Sequence, residues 1–359
     1  SLSSLQSALV IGSNLRKDHP LFALRLRQAA RQGAKVMSLN SLKQLPSPDA
    51  WAMPLSHSRL EAPAQWLPAL LEVASALAQI EGVDLPAGMP AAVQVGEVAR
   101  AMAQALIAGE RKAIFLGNAA AHHGQAQSLL AVAAWIAERT GASVGYLTEA
   151  ANTVGAQWVG AQPQNGGLDA GQMLAGSLKA VLLLGAEPEF DSAAGAAAKT
   201  ALGRAQMVVT LSAFKANMDI SDVLLPIAPF TETPGTFVNA EARVQSFHAV
   251  VKPRGQARPG WKVLRVLGNM LGLAGFEAES TADVLAQAIG APPAEGPRFV
   301  PAAELSNAAV FRGDDGSAGE PVTASIYQLD PMVRRAPSLQ LTADARAWHG
   351  AQHEQGVSA

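Results

Sequence analysis

The chain has 359 residues, enough for two or three compact subdomains around a sizeable buried core. Hydrophobic residues make up 49% and charged residues 16%, which excludes a disordered or heavily solvated polypeptide. A net charge of −2 and 5% aromatic residues leave no footprint for nucleic acid or an anionic membrane, and the lack of cysteine excludes disulfides and cysteine-ligated zinc or iron–sulfur clusters within this span.

In chain order, residues 8–12 (ALVIG) form a continuous apolar run closed by glycine. That is the pattern of a strand buried on both faces of a parallel sheet. It returns at 113–117 (AIFLG) and 180–185 (AVLLLG). Polar residues follow each glycine: Ser13 and Asn14, then Asn118, then Glu187 before Pro188. A helix is expected over 21–32, with Pro20 in its first turn and Gly33 at its end, followed by a strand at 34–39. Residues 45–68, punctuated by Pro46, Pro48, Pro54, Pro63 and Pro68, read as an irregular connection. Helices over 69–80 and 95–109 come next. The second glycine-closed strand leads to a helix over 125–139 and a strand at 142–147. The third leads to a helix over 193–202 and strands at 207–211 and 223–225, the latter halted by Pro226.

Further on lie an extended stretch at 236–238, a short apolar piece at 247–251 and helices over 261–271 and 281–289. Residues 291–301 read as a linker, 312–321 as an exposed loop, and those after 348 as a frayed end. Strands alternating with helices at this spacing make the fold class α/β, with open, mostly parallel sheets in βαβ units. The expected division is 1–112, 113–290, and a linker with C-terminal extension over 291–359. No apolar run approaches the roughly 20 residues that cross a bilayer, so no membrane insertion is expected. The opening residues carry neither an initiator methionine nor a charged-then-apolar signal segment, and a soluble piece of something longer is expected.

In open α/β sheets, ligands sit outside the carboxyl ends of the strands. Gly12, Ser13, Asn14, Gly117, Asn118, Gly185 and Glu187 therefore rim the expected crevice. Glycine there lets backbone approach a phosphate or ring, and a helix N-terminus behind it favours anions. None of the three turns is Gly-x-Gly-x-x-Gly and no Gly-Lys-Ser/Thr loop occurs, so plain strand-to-helix turns are the competing reading. His122-His123 lacks the carboxylate companions of a metal centre and reads as helix capping, as does His19 before Pro20. No metal site is expected. The Arg-Gly-Asp triplet at 312–314 reads as coincidence.

Residues 231–245 (TETPGTFVNAEARVQ) hold a Pro234-Gly235 turn among polar residues. Glu232 and Glu241 suit either a general acid–base pair or acceptors that anchor irregular backbone. Buried irregular backbone needs such acceptors, which favours anchoring.

The run Asp222-Val223-Leu224-Leu225-Pro226, then Glu232, then Gly235-Thr236-Phe237-Val238-Asn239-Ala240-Glu241-Ala242-Arg243, resembles the signature of the molybdopterin oxidoreductase superfamily. Residues 10–36 resemble that family's strand–Gly-x-Asn–His-Pro–helix unit. Together with 151–163 (ANTVGAQWVGAQP) and 333–345 (VRRAPSLQLTADA), they are similar to the C-terminal part of the G-subunit family of bacterial NADH–quinone oxidoreductase, respiratory complex I. The strongest patches are 8–40, 113–165 and 180–270.

This resemblance implies subdomains of the formate dehydrogenase and DMSO reductase type. It implies a non-catalytic scaffold in a complex passing electrons from NADH to quinone, peripheral on the cytoplasmic side of the bacterial inner membrane. The implied partners are other peripheral-arm subunits and the iron–sulfur region of the parent chain, whose clusters lie outside this span. It further implies that molybdopterin is absent, that the crevice is vestigial, and that no residue is catalytic. Asp222, Glu232, Gly235, Asn239, Glu241 and Arg243 are then a structural turn, satisfying one another and the backbone. Ala242 stands where cofactor-bearing members have glycine. The alternative is part of an active molybdopterin-dependent oxidoreductase whose crevice holds a guanine dinucleotide cofactor. A third is an unrelated nucleotide-binding α/β protein resembling the central domain of thiamine-diphosphate enzymes.

Overall fold

The computed structural model describes residues 2–41, 51–290, 311 and 325–347. They fall into two units, 2–149 with Phe311, and 150–290 with 325–347.

The first unit is built on five parallel strands: β1 (Ser7–Ile11), β2 (Lys35–Asn40), β3 (His57–Leu60), β4 (Lys112–Leu116) and β5 (Ser143–Tyr146), in the order β3-β2-β1-β4-β5. Every residue of β1 is buried, because successive side chains point to opposite, equally covered faces. Leu9, Ile11, Met37, Leu39, Ile114 and Leu116 enter a core shared with helices Trp66–Glu81, Glu97–Ile107 and Ala126–Thr140. Ala8, Val10 and Val36 enter a second core with Leu26 and Ala30 of helix Pro20–Arg31.

Two expectations are corrected by this sheet. Strand β4 starts at Lys112 and pairs with β1, so the expected boundary after 112 does not divide the chain. The unit runs on through β5 because β1 needs β4 along its second edge. Strand β3 lies inside the proline-rich stretch expected to be irregular. Its HSRL sequence lacks an apolar run since it is an edge strand, with alternating half-buried and exposed residues and Arg59 paired to Glu61 and Glu72 at 2.8 and 2.9 Å.

The second unit holds parallel strands β6 (Ala180–Leu184), β7 (Met207–Ser212) and β8 (Val223–Pro226) in that order. One face, with Val181, Leu183 and Val208, packs on Leu174, Leu178 and Leu202. The other face lines up Ala180, Leu182 and Leu184 with Met207, Val209 and Leu211, and then Val223 and Leu225. On it Leu182 is 47% and Leu184 50% exposed, so the sequence pattern that buries both faces of β1 buries only one face of β6. An antiparallel hairpin follows, β9 (Gly235–Val238) with β10 (Val244–Phe247), and then helices Gly260–Met270 and Thr281–Ile289. The second hairpin strand starts before the expected 247–251, because the turn at 239–243 fixes its register.

Residues 325–347, expected as a separate extension, belong to the second unit, where Arg334 and Arg335 pair with Glu187. The linker at 291–301, the loop at 312–321 and the end after 348 lie outside the described residues. Among the described residues no helix is long and apolar enough to cross a membrane.

Candidate functional site

The strand order of the first unit reverses between β1 and β4, which makes the turns after these strands its topological switch point. Gly12 takes a φ of +58° there. A Cβ on it would stand 2.7 Å from both the Ala120 backbone nitrogen and the Trp66 ring, and one on Gly117 would stand 2.5 Å from the Gly12 carbonyl. The two turns thus abut each other, and Trp66 and Ala120, both at 0% exposure, pack against Gly12. Trp66 stacks on His123 at 5.7 Å between centroids and donates its indole N–H to the Glu61 carbonyl. His123 Nδ1 accepts from Gln125 N, so its Nε2 carries the proton and donates to the Pro63 carbonyl at 3.0 Å.

Four backbone donors at this edge are engaged. Gly12 N donates to Leu39 O, Gly117 N to Ile11 O and Ala119 N to Gly12 O. Asn14 N donates to the Asp18 carboxylate, four positions on, at 3.1 Å. Burial raises the Asp18 carboxyl above its usual range, against the Asn14 hydrogen bond and the nearby His19. Ser13 Oγ and Asn118 Oδ1 are shielded from solvent and have no protein partner.

The second unit repeats the device. Gly185, at φ +63°, donates its N–H to Leu211 O, and Glu187 N donates to the Asp191 carboxylate, again four positions on, at 2.7 Å. Glycine, the donor residue and the acceptor thus recur with one spacing: Gly12, Asn14, Asp18 and Gly185, Glu187, Asp191. The buried Glu187 side chain is taken up by the chain itself. Arg335 reaches it with two parallel hydrogen bonds of 2.7 and 2.8 Å, and Arg334 approaches to 3.0 Å. Burial would raise the Glu187 carboxyl, but the bonds from Arg335 and Arg334 outweigh it and hold it below the usual range. The guanidinium of Arg335 lies on the Phe214 ring at 4.4 Å, and that of Arg334 on Phe190 at 4.6 Å.

The signature residues are spread along turns. Asp222 accepts the Val208 N–H at 2.7 Å and fixes the start of β8 against β7. Glu232 accepts the Arg254 N–H at 3.1 Å and borders a cavity of about 750 Å³ lined also by Val250, Lys252, Trp261 and Lys262. Gly235 leaves room for the Phe247 ring, 2.9 Å from where a Cβ would stand. Asn239 Oδ1 accepts from Glu241 N and Arg243 N, both at 3.0 Å, and closes the hairpin turn. Glu241 and Arg243 act through their backbone N–H groups, and Glu241 does not line the cavity at Glu232. Of the bonding expected among Glu232, Asn239, Glu241 and Arg243, the described residues show the bonds from the Glu241 and Arg243 backbone to Asn239, while Glu232 bonds Arg254 instead.

His19 sits at the N-cap of helix Pro20–Arg31 and bonds the Thr148 carbonyl at 2.9 Å. His122 pairs with Glu149 at 3.1 Å. No group of three or more potential metal ligands occurs among the described residues. Asp18, Asp191, Trp66, Arg334 and Arg335 join these edges without having been expected from the sequence. Only the matched spacing of the two carboxylates could have signalled any of them.

Residues 4–270 match the molybdopterin oxidoreductase family. Over 300 residues the chain is 29% identical to the NADH-quinone oxidoreductase G subunit of Streptomyces coelicolor, covering 76% of this chain and 34% of that protein. It therefore spans about a third of the length of this relative. A Bacillus subtilis protein named as a probable oxidoreductase, YjgC, is 39% identical over 70 residues, 20% of this chain and 7% of its own length. A Staphylococcus aureus protein named as a formate dehydrogenase is 42% identical over 52 residues, 14% and 5% of the two chains. With the match running through both units, the chain belongs to the molybdopterin oxidoreductase family.

Proposed function

We propose that this chain is a catalytically silent scaffold from the peripheral arm of an NADH–quinone oxidoreductase, complex I, in which it keeps the family fold without molybdopterin. The observation that carries this reading is the repeated internal carboxylate. A pyrophosphate at a strand-to-helix turn needs free N–H donors and a tolerant electrostatic environment. At both edges the donor two residues after the glycine is held by the chain's own Asp18 or Asp191 and is not free for a phosphate, and in the second unit Arg334 is in turn paired with Asp191 and Glu187. The Ser13 hydroxyl and Asn118 carbonyl oxygen, shielded from solvent and without a protein partner, add no N–H donor in place of those two. The turns of this chain therefore do not suit the nucleotide ends of a guanine dinucleotide.

Support for the parent complex comes from the similarity to the Streptomyces coelicolor G subunit over 76% of the chain, against 14–20% for the matches to YjgC and the formate dehydrogenase. The exposed Leu182, Leu184, Met207 and Val223 on one face of β6–β8 support a packing role, since parallel sheets are ordinarily covered on both faces. Neighbouring peripheral-arm polypeptides, including the iron–sulfur region of the parent chain, are its covering partners in this reading. Electron transfer belongs to them, on the cytoplasmic side of the bacterial inner membrane. Calorimetric titration with guanosine 5′-diphosphate tests the reading. No saturable heat is expected, whereas stoichiometric binding would favour an active molybdopterin enzyme.

A further inference from the structure

The carboxyl edge of β6 and β7 is where a ligand of the second unit would sit, and a piece of the same polypeptide lies there. Its contacts are those of a bound group. The Arg335 guanidinium is planar, reaches Glu187 through a two-bond fork and rests on Phe214, the residue two positions beyond the end of β7. Arg334 adds bonds to Glu187 and Asp191 and stacks on Phe190.

The segment carrying these arginines is internally braced. Asp330 Oδ1 accepts from Met332 N and Val333 N at 2.9 Å, and Gln340 Nε2 donates to the Tyr327 and Val333 carbonyls at 3.0 and 2.8 Å. Arg334 Nη1 also donates to the Gln328 carbonyl at 2.6 Å. The two arginines thus stand on a small preformed knot, and the polar contacts reaching Glu187 and Asp191 run through them.

We infer that the carboxyl edge of the second unit is a guanidinium-binding site, that its ligand is the chain's own Arg335, and that residues 325–346 form a plug keyed into it. This rests on the silent-scaffold reading only in taking that edge to hold no external ligand. Two carboxylates and two aromatic faces converge on a pair of cations, and the fork at Glu187 selects guanidinium over ammonium, which lacks the planar pair of donors.

The test uses the full chain and its Arg335→Ala variant, with amide hydrogen exchange as the readout. Exchange over 325–346 is expected to speed up at least about tenfold in the variant while β6 and β7 keep their protection. Arg335→Lys is expected to behave like the alanine variant, and Phe214→Leu to loosen the segment by a smaller factor. Methylguanidinium at millimolar concentration is expected to shift the Glu187 side-chain carbon resonance in Arg335→Ala and leave it unmoved in the wild type. Unchanged exchange, joint loss of protection in the segment and the strands, or full retention of the plug by lysine would overturn the inference. Binding of molybdopterin at the first unit would sink the scaffold reading and leave this result standing.

Discussion

Arg335 and Glu187, 148 positions apart in the sequence, meet through two parallel hydrogen bonds of 2.7 and 2.8 Å. The pair ties the C-terminal segment to the turn after β6, and the carboxylate is the smaller, more buried partner. Glu187→Gln leaves two guanidinium groups facing a neutral amide, and is expected to cost the second unit about 3 kcal/mol. Urea unfolding followed by circular dichroism measures it.

The same pair sets an acid dependence. The folded Glu187 carboxyl titrates below its ordinary 4.5, so its contribution is fully present above that value and is lost as pH falls through the folded pKa. The segment is expected to stay protected from protease at about pH 6 and to be cut with increasing speed as the pH is lowered below about 4.5 with an acid-active protease. In Glu187→Gln this acid step should disappear.

Gly117 and Gly141 offer a matched contrast in the first unit. A Cβ on Gly117 would overlap the Gly12 carbonyl at 2.5 Å, whereas one on Gly141, at φ +70°, would meet nothing within 4 Å. Gly117→Ala is expected to cost about 3 kcal/mol through a backbone collision. Gly141→Ala should cost about 1 kcal/mol, the left-handed strain alone. Equal losses in thermal unfolding would contradict the packed switch point.

Ala242 adopts φ +58° at the hairpin turn, where its N–H bonds the Asn239 carbonyl. Replacing it with glycine relieves the Cβ strain and is expected to raise stability by about 0.5–1 kcal/mol, net of the added freedom of the unfolded chain. A rise in the thermal midpoint, with the turn's hydrogen bonds retained by NMR, is the check.

His122 is expected to titrate above its ordinary 6.5, because Glu149 accepts its N–H at 3.1 Å. The pair's stabilising contribution is present below the unfolded value and fades as pH rises through the folded one. Both side chains are about half exposed, so the effect shows in the ring resonances rather than in stability. Glu149→Gln should return the midpoint to the ordinary value.

The glycine-closed apolar runs made the parallel strands legible, because ALVIG and AIFLG are apolar where the sheet is covered, although the same pattern in AVLLLG misstates the burial of one face of β6. Helices Pro20–Arg31 and Ala126–Thr140 announced themselves by periodicity and by the glycines past their ends. Strand β3 did not, since HSRL takes its place from pairing with β2 rather than from its own pattern. The division of the chain was misplaced for the same reason: which strands share a sheet is a long-range property that no local window contains. At the site, the glycines and Glu187 were visible as the rim of a crevice, but their occupants were not. Trp66 reaches Gly12 from a different helix, and Arg335 reaches Glu187 from the far end of the chain.

In the proposed reading this chain keeps the family fold, and its own Asp18, Asp191, Arg334 and Arg335 occupy the turns at its ligand edges. Molybdenum and pterin analysis of the protein, purified from cells that make the molybdenum cofactor, tests it most directly. No molybdenum above background and no pterin fluorescence in the denatured extract are expected. Stoichiometric molybdenum accompanied by a pterin spectrum would contradict the claim.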